Sequence, residues 1–178
     1  MRSAPSPTRP RKRRRANNAQ PHIDVIVQSQ RWKAQPQATS SVRKALAAAA
    51  EAVSTPHAEL AIVLTNDSAI RALNRQWRKL DEPTNVLSFP AKVARTGRNL
   101  PQHLGDIVIA YETVAREAAA EHKPFSHHLV HLAVHGYLHL LGYDHATDRE
   151  AKKMERLEAD ILARLGVSDP YLMHDRTM

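Results

Sequence analysis

The sequence predicts an α+β domain with one sheet and helices packed on it. Three observations lead there. Short β-branched stretches recur at His22–Gln28, Glu59–Thr65 and Gly105–Ala110. Longer stretches rich in Ala, Leu and charge lie between and after them, with helix start and stop signals. The resulting order is β-α-β-α-β-β-α-α-α, one sheet's worth of strands with three helices last.

In His22–Gln28, Ile23, Val25 and Val27 alternate with other residues, the period of a half-buried strand. Ser40 or Ser41 can cap a helix through VRKALAAAAEAV, where Ala and Leu favour helix, and Pro56 ends that region. Glu59–Thr65 (ELAIVLT) is the second strand, and Asn66 or Asp67 caps the helix AIRALNRQWR after it. KLDEPTNVLSFP reads as a loop entering a short strand with a proline at each end, Pro83 and Pro90. Residues 91–103 hold Gly97, Pro101 and mixed charge and read as a loop before the strand Gly105–Ala110. Helices are expected from Glu112 to His122, broken by Pro124, then from Ser126 to Leu141, and from Thr147 to Leu165 with Thr147-x-x-Glu150 as a capping box.

The chain of 178 residues is long enough for one domain with a real core. It has no cysteine, which excludes disulfide partners and thiolate metal sites and fits a reducing compartment. It has no apolar run of membrane-spanning length, and no apolar segment near Met1 of the kind a secretory signal needs. The formal net charge of +8 is unevenly placed. Seven basic residues and no acid lie in residues 1–20, leaving 19 basic against 18 acidic in the rest. With Pro5, Pro7 and Pro10, residues 1–20 are expected to be a disordered basic tail. Two readings of the tail stand side by side: contact with RNA phosphates, or a solvated tail of no specific use. Its prolines argue against a transit peptide.

Seven of the eleven histidines fall between His122 and His145. In HGYLHLLGYDH, His135 and His139 are four apart, so on a helix their side chains leave one face a turn apart. The surrounding stretch is apolar nearly all round, which predicts a buried helix. Two buried neighbouring imidazoles repel if both are protonated, and a shared cation resolves this. Gly142, just past the helix, can take the left-handed conformation that reverses the chain and returns His145 toward the other two. Three imidazoles with an open fourth position make a catalytic zinc site rather than a closed structural one. The spacing is that of metzincin proteases, H-E-x-x-H-x-x-G-x-x-H, but Gly136 stands where the protease has its general-base glutamate. His131, a turn earlier, is either a partner of the ligands or a hydrogen-bonded core histidine. His127 and His128 are expected at the surface or in a cap. Asp144 either orients a ligand imidazole or stabilises the turn.

These residues carry a resemblance. HGYLHLLGYDH, LNRQWRKLDEPTNVLSFP (Leu73–Pro90) and LGDIVIA (Leu104–Ala110) resemble, in order and spacing, the YbeY-type endoribonucleases, zinc-dependent rRNA maturation factors, over about residues 22 to 165. The resemblance implies an α+β fold with a small mixed sheet and packed helices, and a zincin-like metal site on a buried helix followed by a turn. It implies a single catalytic domain over residues 22–168, with 169–178 as a C-terminal tail. It implies one zinc ion per chain on His135, His139 and His145, and Arg78 as the functional arginine of the cleft. It further implies cleavage of single-stranded RNA in 16S rRNA 3′-end maturation and ribosome quality control, with rRNA and the ribosome or its proteins as partners, no membrane, and a cytoplasmic location.

Phosphodiester chemistry does not require the protease glutamate: a Lewis-acidic metal and a fork-shaped guanidinium meet its needs. Asn85 and Ser88 either line the cleft or shape an edge strand limited by its prolines. Trp32 and Trp77 are either core residues or platforms for bases. Two competing functions share the histidines. A zinc metalloprotease also needs a methionine turn, and Met154 lies instead in the helical EAKKMERLEADIL. A non-enzymatic ribosome-associated zinc protein would have no use for an open coordination position.

Overall fold

A computed structural model describes residues 20–92 and 102–171 of the chain. The expected basic tail therefore lies outside the described residues except for Gln20, as do most of the 91–103 loop and the end of the 169–178 tail.

Four strands form one mixed sheet in the order β1-β2-β4-β3, with β1 at His22–Val27, β2 at Ala58–Thr65, β3 at Val86–Pro90 and β4 at Gln102–Ala110. β1, β2 and β4 run parallel, and β3 pairs antiparallel with β4, Leu87 opposite Val108. β3 is thus an edge strand, where the missing N–H of Pro90 is tolerated. Pro83 lies outside it, three residues before Val86.

The helices are α1 at Ala38–Ala52, α2 at Asp67–Arg78, α3 at Tyr111–Ala120, α4 at Phe125–Leu140 and α5 at Asp148–Arg164. Asn66 caps α2, its side-chain oxygen accepting from the Ala69 N–H, and Thr147 caps α5 by accepting from the Glu150 N–H. The expected Ser40 or Ser41 cap is not used. α1 begins earlier, after Gln37, and the Ser40 hydroxyl donates to the Gln37 carbonyl from inside the first turn. The earlier start buries Ala38 and lengthens the apolar face of the helix. A short 3-10 turn at Gln30–Ala34 was not expected. It exists to bury Trp32, whose Nε1–H donates to the Thr65 carbonyl at 2.8 Å and whose ring meets Tyr111 and Phe125 edge-on. β4 begins at Gln102, before the expected Gly105, because its first residues pair with β2.

Strand alternation sorts the sheet into two faces. Ile107 and Ile109 of β4, with Leu60, Ile62 and Leu64 of β2, face a large core shared with α1, α4 and α5. Val108, Ala110 and Leu87 face the other way, against Ile70 of α2. α4 lies at the centre of the large core, with Leu129, Ala133, Val134, Tyr137 and Leu138 all fully or almost fully buried. The one polar tip among them is satisfied, since the Tyr137 hydroxyl is 2.6 Å from Thr55 Oγ1. An unpaired hydroxyl there costs about 1–3 kcal/mol. Among the described residues no helix is long and apolar enough to cross a membrane.

Candidate metal centre and cleft

α4 carries the first two histidines of the centre, one turn apart on the face that meets α5. His135 Nε2 and His139 Nε2 lie 3.0 Å apart. Two nitrogens that close cannot both carry a proton toward each other. The helix ends as Gly142 suggests. Gly142 takes φ +86°, its N–H donates to the His139 carbonyl, and the Tyr143 N–H donates to the Leu138 carbonyl. These two bonds make a Schellman ending. The reversed chain brings the His145 ring to 5.3 Å from the His135 ring and 5.4 Å from the His139 ring, centre to centre. One nitrogen from each of the three lies within 4.8 Å of the others, a grouping that can hold a metal ion. The Asp144 carboxylate accepts from the His145 N–H at 2.7 Å, so it stabilises the turn, while the residue also lines the cleft.

A Cβ at Gly142 would meet nothing within 4 Å, so the cost of replacing this residue is purely conformational. Gly142→Val is expected to destabilise by about 1–2 kcal/mol, the penalty of a left-handed backbone, and to weaken metal retention without touching a ligand. A thermal melt and metal analysis on one sample check this. An unchanged melting temperature would show that the turn is not what positions His145.

Behind His135 stands a residue that the sequence reading missed. Glu158 of α5 is fully buried. His135 Nδ1 donates to one of its oxygens at 2.7 Å, and His131 Nε2 donates to the other at 3.1 Å. The Tyr171 hydroxyl donates to it as well. Burial alone would push this carboxyl's pKa up. The hydrogen bonds from His131 and His135, the nearby His135 charge and the Tyr171 hydroxyl together outweigh burial and hold it at about 2. A carboxylate can only accept, so His135 carries a proton on Nδ1 and turns Nε2 toward the centre. Burial, and then the charges of His135 and His145, lower the pKa of His139, which favours the neutral ring that a metal needs. The sequence does hold a signal for Glu158: it falls among Met154, Ile161 and Leu162 on the buried stripe of α5, where an unpaired acid is costly.

His131 thus shares the carboxylate of a candidate ligand, which joins its two readings. His128 differs from expectation. It is buried rather than at the surface, and its Nε2 lies 2.7 Å from Glu117 of α3. Burial raises the Glu117 pKa, but bonds from His128 and Asn85 and the charges of His128 and Arg116 leave it below the usual carboxylate range.

His135 and His139 open onto a cleft of about 400 Å³ between α4, β3 and the end of α2. Arg78 lines it from the last turn of α2. The loop after Arg78 is pinned in two places. Arg71 grips Asp81 with two bonds of 3.0 Å, and the Asn74 amide donates to the Glu82 carbonyl at 2.8 Å. Arg78 is exposed and, among the described residues, has no ion-pair or hydrogen-bond partner, so its guanidinium is available to a ligand. Asn85 and Ser88 also line the cleft, but with their donors engaged. The Asn85 amide donates to Glu117 at 3.0 Å and the Ser88 hydroxyl to the Gly136 carbonyl at 3.1 Å. Trp32 is core, as described. Trp77 is not, being 64% exposed with its ring edge-on to Phe89.

Gly136 now has a structural account. A Cβ there would come within 2.9 Å of Ile107 Cγ2 and 3.1 Å of Ser88 Oγ. α4 packs against β3 and β4 at this point, and a glutamate would have to displace both neighbours.

Comparison with known proteins gives the family. The family model described as Endoribonuclease YbeY matches residues 24–166. A Nitrobacter hamburgensis protein named Endoribonuclease YbeY is 54% identical over 164 residues, 89% of this chain and 86% of that one. A Bradyrhizobium protein of the same name is 53% identical over 161 residues, 88% of this chain and 95% of that one. A solution structure from Thermotoga maritima is similar at a TM-score of 0.49 and 22% identity, over 83% of this chain and 97% of that one. With the family model covering most of the chain and relatives more than half identical across it, this protein belongs to the YbeY endoribonuclease family.

Proposed function

We propose that this endoribonuclease cuts single-stranded RNA with one zinc ion per chain, held by His135, His139 and His145, and with Arg78 binding the scissile phosphate. The observation that carries the reading is a grouping of three imidazoles, two of which, His135 and His139, line one cleft with the free guanidinium of Arg78. The donor set fits zinc: three imidazole nitrogens and no thiolate. A bound ion supplies Lewis acidity at a phosphoryl oxygen.

The protein's own residues do the rest. Glu158 fixes the tautomer and the tilt of His135. Gly142 sets the return of His145. Arg78, with its fork of donors, binds two oxygens of a phosphate and stabilises charge that develops on them. Gly136 leaves the site without a proton shuttle of the protease kind. We place the activity in 16S rRNA 3′-end maturation and ribosome quality control, with the ribosome or its proteins as partners, in the cytoplasm; membership of the family supports this placement.

The test is cleavage of a single-stranded RNA and of an unfolded polypeptide, with and without chelator. Chelator-sensitive cleavage of RNA alone is expected. Chelator-sensitive proteolysis without RNA cleavage would overturn the reading in favour of a metalloprotease. A metal that binds but supports neither reaction would favour a ribosome-associated zinc protein without enzymatic activity.

Glu158→Gln tests the support behind His135. Glutamine keeps the shape but offers a weaker, neutral acceptor to two imidazoles. Zinc affinity is expected to fall by about 10–100-fold, the usual cost of losing the partner of a ligand imidazole. Competition with a chromogenic chelator reads this directly. Unchanged affinity would show that the carboxylate does not govern the metal centre.

A further inference from the structure

A trough of about 820 Å³ runs along α5 beside the metal cleft. Arg149, Lys152, Lys153 and Arg156 line it. Their spacing of three, four and seven places them on one face of the helix, spread over about 10 Å. All four are exposed, while the opposite face buries Met154, Glu158, Ile161 and Leu162. Among the described residues none of the four takes part in an ion pair or a side-chain hydrogen bond. Asp148 and Asp160 also line the trough, so cations outnumber acids there by two. The nearby Glu150 is already occupied by the hydroxyl of Thr147.

The trough adjoins the site. Tyr143 lines both the trough and the metal cleft. A smaller hollow, lined by Leu141, Gly142, Tyr143, Asp144, Glu150 and Lys153, shares residues with both. Lys153 Nζ stands 5.3 Å from the centre of the Tyr143 ring. The residue that follows the helix-ending glycine therefore joins the candidate metal centre to a row of unpaired cations.

We infer that this face of α5 is a phosphate-binding track that holds the stretch of RNA flanking the scissile position. The inference rests on the endoribonuclease reading above and extends it to where the substrate lies. Charge and shape favour a nucleic acid over an acidic protein. Protein interfaces bind through buried apolar or aromatic anchors. The large exposed hydrophobic residues of the described chain are Ile26, Val27, Trp77 and Leu80, and none of them lines this trough. Phosphate binding needs only cations in a wet groove.

The test uses the full chain loaded with its metal. Lys152→Gln/Lys153→Gln is compared with Lys33→Gln/Lys44→Gln, a pair with the same loss of charge at exposed positions outside both trough and cleft. Anisotropy of a labelled single-stranded RNA reads binding, and a gel reads cleavage on the same samples. The α5 pair is expected to weaken binding on the order of 10-fold at 0.15 M salt and to lower the salt slope by about 1–2. In cleavage the loss falls on half-saturation more than on the rate with excess RNA. It shrinks on a trinucleotide too short to reach the trough. The Lys33/Lys44 pair should shift binding far less. All four side chains are exposed, so melting temperature and metal content serve as controls on folding. If both pairs weaken binding equally, or neither does, the track is wrong. A wild type that binds RNA through α5 yet cuts none would instead sink the nuclease reading while leaving the track standing.

Discussion

His139→Ala is expected to lose its metal and its RNA cleavage together. His139 is half-buried on α4, and its Nε2 is 3.0 Å from that of His135. Its loss leaves the three-imidazole grouping one donor short, while His131 bonds to Glu158. Metal bound only in the folded state adds to folding stability. Wild-type protein should therefore melt at a lower temperature in chelator, and the variant should show no such shift. Metal analysis should find about one zinc per wild-type chain and far less in the variant. A variant with full zinc occupancy would remove His139 from the ligand set. The pH dependence has a definite sign. The His139 pKa is lowered by burial and then by the charges of His135 and His145, so the folded protein binds that proton less readily than the unfolded chain does. Its contribution to stability is present above the ordinary imidazole pKa and is lost as pH falls through the lowered one. Chelated protein should thus lose stability on acidification through that range, and metal should leave over the same range.

Much of the scaffold was legible because its signals are local. α4 is apolar nearly all round, and the turn at Gly142 needs only a residue that accepts φ +86°. The strands announce themselves by alternation, and the Asn66 and Thr147 caps by their side chains. What escaped depends on partners distant in sequence. The buried Glu158 owes its role to imidazoles 23 and 27 residues away. His128 looked like a surface residue because its partner, Glu117, sits on another helix. The 3-10 turn at Gln30–Ala34 forms to seat Trp32 against Tyr111 and Phe125. Trp77 reads in sequence as either core or a platform for bases, and α2 turns that side chain outward while burying Ile70 and Asn74. Gly136 is the instructive case. In sequence it is a missing glutamate, whereas in the fold it is the point where a Cβ would press on the side chains of Ile107 and Ser88. The departure from the protease pattern is therefore built into the packing of α4 on β3 and β4. Restoring the glutamate alone is not a route to a protease.

Arg78→Ala is expected to keep its fold and its zinc yet lose RNA cleavage by on the order of 10²–10³ in rate, the usual loss when one preorganised charge-stabilising group is removed. The side chain is exposed at the end of α2 and has no partner among the described residues, so its removal leaves nothing buried and unsatisfied. Its position does not depend on itself. The Arg71–Asp81 grip and the Asn74–Glu82 bond hold the loop after Arg78 in place. The loss should therefore be chemical rather than structural. If Arg78 acts mainly on the transition state, the rate at saturating RNA falls and half-saturation moves little. Arg78→Lys separates charge from geometry. An ammonium restores the positive charge but not the two-pronged contact, so partial recovery is expected. Metal content and melting temperature, measured beside the rates, exclude a collapsed site as the cause. Full RNA cleavage by Arg78→Ala would show that the phosphate is held elsewhere in the cleft and would return Arg78 to the status of a solvated cation at a helix end.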